Sequence, residues 1–188
     1  MNGSVADRDG ALRAVLSESQ RLGFLGERNV DEVIAHARGF LTALDADGAA
    51  ALRVVDLGSG GGVPGLVIAY DQPRWQLTLV DRRAKRTDFL ARVVSRLGWS
   101  QRVTVRCADV TEVIRTDGGS FDAAVARGFG PPATTLAVAR RLVTDGGRIV
   151  ISEPPAGARW DDAGLRADGV RHHEVTTPAG RLAVFDLA

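Results

Sequence analysis

The sequence predicts an α/β fold: a central, mostly parallel seven-stranded sheet ending in a C-terminal antiparallel hairpin, with helices on both faces and a short helical N-terminal extension. Three observations predict it. From residue 52 onward, short apolar runs alternate with helical runs, the pattern of a parallel sheet covered on both sides. The last two runs, VRHHEVTTP and RLAVFDL, alternate in polarity and are split only by Ala179-Gly180, which makes them a hairpin. Between the first strand and its helix stands VVDLGSGGGVPG, in which five of the nine residues after Asp56 are glycine.

The elements follow in order. Residues 6–22 and 29–45 read as helices joined by the glycine-punctuated LGFLGER. In the second helix Val30, Val33, Ile34, Ala37, Phe40, Leu41 and Leu44 recur at helical spacing, with Asp31 and Glu32 in the first turn, where the helix dipole favours acids. LRVVDL is the first strand, and VPGLVIAYDQ is helical with Pro64 in its first turn. QLTLVD is a strand, RAKRTDFLARVVSRLG a helix closed by Gly98, RVTVRCAD a strand, TEVIRT a short helical turn and FDAAVAR a strand. PATTLAVARRLVTDGG reads as a helix with a glycine stop, and GRIVISE as the fifth strand. Five parallel strands closing on a hairpin fit the class I methyltransferase variant of the Rossmann-like sheet better than a plain dinucleotide fold. With 188 residues the chain is long enough for one core, which assigns residues 1–48 to an N-terminal extension packed on the domain formed by residues 49–188.

Composition narrows the function classes. Hydrophobic residues make 45% and charged residues 25%, an ordinary globular mix. There is no apolar run of membrane-spanning length, and Met1-Asn2-Gly3-Ser4 opens a polar N-terminus without a signal-peptide core. Cys107 is the sole cysteine, so an intrachain disulfide is excluded and a reducing cytoplasm is expected. Net charge is +1, which does not argue for nucleic acid. Lys85 is the sole lysine, and codon bias explains that excess of arginine.

The glycine loop follows a strand and opens a helix, the setting of a nucleotide-binding turn in which missing side chains let a ligand approach the backbone. Two registers overlap: Gly60-Gly61-Gly62-Val63-Pro64-Gly65 satisfies the NAD fingerprint, and Asp56-Leu57-Gly58-Ser59-Gly60-Gly61-Gly62 the acid-x-G-x-G-x-G pattern of S-adenosylmethionine (SAM) sites. Asp56 favours the second, because a carboxylate at the strand end repels pyrophosphate and suits a sulfonium and an ammonium. It either touches the ligand or orients the loop amides. Cofactor contacts are therefore expected along Asp56, Gly58, Ser59, Gly60, Gly62 and Pro64. Asp81, at the end of the second strand, can hold both ribose hydroxyls or cap the following helix. Asp109, after Ala108 at the third strand end, can bond the adenine amino group or cap the turn at Thr111. Arg127 ends the fourth strand, where cofactor and substrate meet; the alternative is a solvated loop arginine.

DLGSGGGVPG, Lys85-Arg86 followed by Phe89-Leu90, Ala108-Asp109 and Arg127 together resemble the RsmG (GidB) family, and LGFLGERNVDEVIAH with His36 resembles its N-terminal helices. The Pro64-Gly65 ending of the loop is the most specific element. The resemblance covers roughly residues 18–155. It implies SAM-dependent methylation of guanine N7 in small-subunit ribosomal RNA, with the small ribosomal subunit or its RNA as partner. It also implies a cofactor site lined by Gly58, Gly60, Gly62, Asp81, Ala108, Asp109 and Arg127. One departure is plain: Ser152-Glu153 closes the fifth strand where the family carries a Lys-Gly pair. Glu153 thus joins Arg127 as a substrate-side candidate. It keeps two alternatives open, a small-molecule methyltransferase and a non-catalytic SAM-binding paralogue. An anion there would repel a phosphate backbone, so Glu153→Lys is expected to keep or raise activity on ribosomal RNA.

The remaining features agree with methyl transfer. Guanine N7 has a free lone pair and no proton to lose, so a positioned donor suffices and no general base is needed. The histidines have no metal-like spacing with the cysteine, and no metal is expected; His172 and His173 read as neighbours on opposite faces of an edge strand. Residues 81–106 hold eight basic residues and two acids, with Lys85, Arg92 and Arg96 on one stripe of the helix and Phe89, Leu90, Val93, Val94 and Leu97 on the other. Such a stripe tracks phosphates or is a solvated face.

Overall fold

The computed structural model describes residues 5–44, 51–157 and 159–188; Met1-Asn2-Gly3-Ser4, residue 45 of the second expected helix and the boundary between residues 48 and 49 lie outside them. Helix α1 (Val5–Arg21) buries Leu12, Val15 and Leu16 along one stripe. It ends in a Schellman cap: Gly23 sits at φ 70°, its N–H donates to Gln20 O, and the N–H of Phe24 donates to Ser19 O. The cap turns Phe24 toward Phe89, with ring centroids 5.7 Å apart. Helix α2 (Val30–Ala43) begins at Asn29, whose side chain accepts from Asp31 N, and buries Val33, Ile34, Ala37 and Phe40.

The alternation then runs β1 (Arg53–Leu57), α3 (Gly65–Asp71), β2 (Gln76–Asp81), α4 (Ala84–Arg96), β3 (Val103–Cys107), α5 (Val110–Asp117) and β4 (Phe121–Ala126). It continues through α6 (Pro132–Arg140), β5 (Val143–Glu153), α7 (Asp162–Ala167), β6 (Val170–Thr177) and β7 (Gly180–Leu187). The strand order is β3-β2-β1-β4-β5-β7-β6, parallel through β5 and antiparallel at β7 and β6. The order reverses between β1 and β4, and open sheets bind ligands beyond the strand ends at such a point.

Strand alternation sends side chains to two cores. Val54, Leu77, Leu79, Val125 and Val150 pack with Phe40, Leu66, Phe89 and Leu90 from α2, α3 and α4. Val55, Leu57, Val80, Ala124 and Ile149 pack with Val113, Leu136 and Ala139 from α5 and α6. Leu12, Leu16, Val33, Ile34 and Ala37 form a third cluster with Val63 and Val67, which ties the N-terminal helices to the glycine loop and to α3. Burying a side chain such as Phe40 stabilises the fold by about 1.5–3 kcal/mol. Among the described residues no helix is long and apolar enough to cross a membrane.

Two elements depart from the sequence reading. The helix expected through residue 147 stops at Arg140, and β5 begins at Val143, paired with Phe121. The ladder resumes at Ala123 opposite Arg148, so Thr144 to Gly147 bulge out of the strand. Gly147 is required there: a Cβ would stand 2.3 Å from Val143 Cγ1 and 2.8 Å from Asp122 O. The glycine pair shapes a strand bulge and stops no helix. Helix α7, which the sequence reading omits, begins at Asp161, whose side chain accepts from Ala163 N. It buries none of its residues, so it leaves no apolar period to read. His172 and His173 do lie on opposite faces of β6, with side chains 8% and 46% exposed.

Candidate functional site

Two cavities open at the carboxyl ends of β1, β2, β3 and β4 and share Gly58, Arg83 and Gly128. The first, about 340 Å³, runs from Gly58 past Asp81 to Ala108, Asp109 and Val110, with Phe129, Pro131 and Thr134 opposite. The second, about 270 Å³, lies between Ser59, Gly60 and Gly61 of the loop and Phe24, Leu25 and Gly26 of the α1–α2 connection; Arg83, Arg86 and Arg127 complete its wall.

The loop is held from both ends. Ser59 N–H donates to Val80 O, its hydroxyl donates to Asp56 O, and Gly62 N–H donates to Ser59 O. Gly60, at φ 52°, donates its N–H to Asp81 Oδ2 at 3.0 Å. The hydroxyl of Ser19, on α1, donates to Gly61 O, and a Cβ on Gly61 would stand 2.8 Å from Phe24 O. The N-terminal helices therefore form part of the loop's seat.

Asp81 is the best-connected acid of the crevice. Oδ1 accepts from Arg83 N at 2.9 Å and Arg83 Nε at 3.1 Å, and Oδ2 accepts from Gly60. Burial pushes its pKa up, but the bonds from Arg83 and Gly60 outweigh burial and hold the carboxyl below its usual range. It is an ionised acceptor at the cavity wall. Asp109 caps α5, with Oδ1 accepting from both the N–H and the hydroxyl of Thr111, and it lines the first cavity as well. The two readings offered for Asp109 are thus compatible. Arg127 makes no hydrogen bond or ion pair among the described residues; burial and the neighbouring Arg28 lower its pKa.

Of the sequence-expected residues, Gly58, Asp81, Ala108 and Asp109 line the first cavity, and Gly58, Ser59, Gly60 and Arg127 line the second. Four others need correction. Asp56 lies under the loop, 1% exposed, with Oδ2 accepting from Gly65 N at 3.0 Å and Oδ1 without a partner. Burial pushes its carboxyl up to about 7. It orients the loop from below, and a half-neutral buried acid does not decide between SAM and pyrophosphate. Gly62 and Pro64 line neither cavity: a Cβ on Gly62 would meet Leu66, and Pro64 is the N-cap of α3, one position before the first turn. Glu153, the substrate-side candidate, presents no free anion. Its side chain is 1% exposed, gripped by Arg159 Nε and Nη2 at 2.9 Å each and by Trp160 Nε1 at 3.1 Å.

The sequence reading missed Phe24, Leu25, Arg83 and Phe129. Phe24 left one signal, an aromatic residue inside a glycine-flanked loop. His36 is satisfied structurally, Nδ1 at 3.1 Å from Ala179 O and Nε2 at 3.2 Å from Ser152 Oγ, and burial lowers its pKa.

Residues 11–154 match the family model described as rRNA small subunit methyltransferase G, GidB. The chain belongs to this family. The ribosomal RNA small subunit methyltransferase G of Burkholderia thailandensis is 40% identical over 134 residues, covering 68% of this chain and 54% of that protein. That of Sorangium cellulosum is 32% identical over 143 residues, covering 72% of this chain and 59% of that protein. The chain thus spans a little over half the length of these two curated relatives. A crystal structure of a methyltransferase from Geobacter sulfurreducens matches with a TM-score of 0.69 at 14% identity, covering 96% of this chain and 89% of that chain. At that identity the likeness carries the fold alone, and the fold is that of class I methyltransferases. GidB membership, unlike Asp56, separates the two overlapping loop patterns.

Proposed function

We propose that the chain is a SAM-dependent methyltransferase that methylates guanine N7 in small-subunit ribosomal RNA. The observation that carries this reading is a GidB chain whose crevice sets an ionised carboxylate, Asp81, between a glycine loop and the Ala108-Asp109 turn. The residues fit the cofactor. The Asp81 carboxylate suits a ribose diol, Val80, Val110 and Pro131 offer apolar wall to a purine, and Asp109 offers an acceptor to its amino group. When bound, SAM supplies a methyl group on a sulfonium leaving group. The chain's part is to hold donor and acceptor in line and to keep water out. With both nitrogens of His36 engaged by Ala179 and Ser152, it is not offered as a base, which N7 does not require. The observation that favoured another acceptor was a bare Glu153, and Arg159 neutralises it.

The test has two parts. Calorimetry is expected to give binding of SAM and S-adenosylhomocysteine but not NAD. Incubation with small subunits and radiolabelled SAM is expected to place label on guanine N7. Absence of label on both subunits and naked RNA would overturn the acceptor assignment.

Two substitutions test the cofactor residues. Asp81→Ala should weaken SAM by about 1–3 kcal/mol, the scale of hydrogen bonds to a charged group. Unchanged affinity with a lowered melting temperature would leave Asp81 only its bonds to Gly60 and Arg83. Gly60→Val puts a branched side chain at φ 52°, with its Cβ 3.0 Å from Arg86 Nη1. Backbone strain should cost about 1–3 kcal/mol, and SAM affinity should fall below detection because the side chain enters the cavity wall. A folded Gly60→Val protein that still binds SAM would refute the loop assignment.

A further inference from the structure

The second cavity is strongly cationic. Arg83, Arg86 and Arg127 line it, and no acid does. The nearest carboxylate, Asp81, is already shared between Arg83 at 3.1 Å and Arg86 at 3.8 Å. Arg127 has no partner among the described residues, and its other charged neighbours are Arg28, which repels it, and the half-neutral Asp56. Burial lowers the pKa of both Arg86 and Arg127, the mark of cations taken from water without full compensation. A SAM molecule does not repair this. Its sulfonium and ammonium outnumber its carboxylate, so the donor adds positive charge beside three guanidinium groups.

We infer that the cavity between the α1–α2 connection and the glycine loop is an oxyanion subsite that takes a backbone phosphate of the acceptor strand on Arg86 and Arg127. The inference rests on the RNA reading above and deepens it. A cavity of about 270 Å³ has room for a phosphate and its adjoining sugar, and guanidinium groups bind phosphate through paired N–H donors. Arg86 Nη1 stands over Gly60, so a phosphate held there would lie beside the cofactor loop. Phosphate contacts set the register of a strand without reading its sequence, and here the register would fix which base reaches the donor. The seat for this phosphate includes Phe24 and Leu25, which gives the N-terminal helices a part in acceptor binding.

The test is anisotropy of a labelled single-stranded ribo-oligonucleotide across a salt series, with S-adenosylhomocysteine saturating and its own affinity measured by calorimetry. Arg86→Gln should weaken the oligonucleotide roughly tenfold or more, the scale of a charge-assisted bond, and reduce the salt slope by about 0.7 per lost contact. S-adenosylhomocysteine affinity should stay within about twofold, since the cavity is assigned to the acceptor. Arg28→Gln, which removes a charge that forms no printed bond to Asp81, should shift RNA affinity in the same direction by less. Arg115→Gln on exposed α5 should change nothing. Loss of S-adenosylhomocysteine affinity with RNA affinity intact would assign the cavity to the donor's carboxylate and overturn the inference. Unchanged RNA affinity in Arg86→Gln would overturn it too, leaving solvated arginines. Failure of the underlying function shows differently, as a wild type that neither binds nor methylates RNA. Melting curves of each variant confirm that the fold is retained.

Discussion

The wild-type protein is expected to lose up to about 4 kcal/mol of stability between pH 4 and pH 7 through Asp56, and Asp56→Asn is expected to abolish that loss. The carboxyl is 1% exposed, and burial raises it from 3.8 to about 7, against the bond from Gly65 N that favours the charged form. A folded-state value above the unfolded one means that the native protein retains a proton that the unfolded chain has lost. The contribution is complete below pH 4 and disappears as pH rises through 7. The lowered carboxyls, Asp81 and Asp122 among them, act below this window, because their stabilisation is already present above 3.8. His36 acts in the opposite direction just below pH 6.5, since burial lowers its pKa and the unfolded chain binds the extra proton. Comparison of wild type with Asp56→Asn therefore isolates the carboxyl. Asparagine keeps an acceptor for Gly65 N and removes the ionisation, so the variant should be the more stable protein above pH 7. Urea midpoints at pH 5 and pH 7.5 decide it: parallel pH trends in the two proteins would show that Asp56 ionises normally.

The sheet was legible in the sequence because its signals are local. QLTLVD reads as a strand and is β2 without a shifted end, and the hairpin turns where Ala179-Gly180 marks it. What was not legible depends on contacts distant in the chain. Val143 follows α6 without a break in apolar character, and only its pairing with Phe121 makes it a strand. The same holds at the site. Gly58, Asp81 and Asp109 each stand at a strand end, so spacing finds them. Nothing around Gly61 announces that Ser19 and Phe24 will pack on it, 42 positions upstream in the case of Ser19. Asp56 was found but misplaced, since a pattern of residue types does not say which side of a loop an acid takes.

Glu153→Lys is expected to destabilise the protein by about 3–5 kcal/mol, the reverse of what its departure from the family pattern suggests. Read from sequence, Glu153 is an anion at the acceptor edge, and lysine would restore the family's cation. In the fold its carboxylate is buried and accepts a two-pronged grip from Arg159, while Oε1 also accepts from Trp160 Nε1. Lysine would place an ammonium against that guanidinium in a site closed to water and leave the indole N–H without its acceptor. The damage would spread through Trp160, whose ring packs edge-on to Phe185 at 4.7 Å, while Phe185 stacks on His172 at 4.9 Å. Glu153→Gln should lose less, because an amide oxygen still accepts from Trp160, and Arg159→Ala should fall near the lysine variant by stranding the carboxylate. SAM affinity should survive wherever the fold does, since Glu153 lines neither cavity. Denaturant midpoints of the three variants settle the matter, and a Glu153→Lys protein as stable as wild type would show that the Arg159 grip contributes nothing. Because the grip uses up both oxygens, the substitution of glutamate for the family's small residue tracks the Arg159-Trp160 pair that closes over it, and acceptor choice is left to the arginines around the glycine loop.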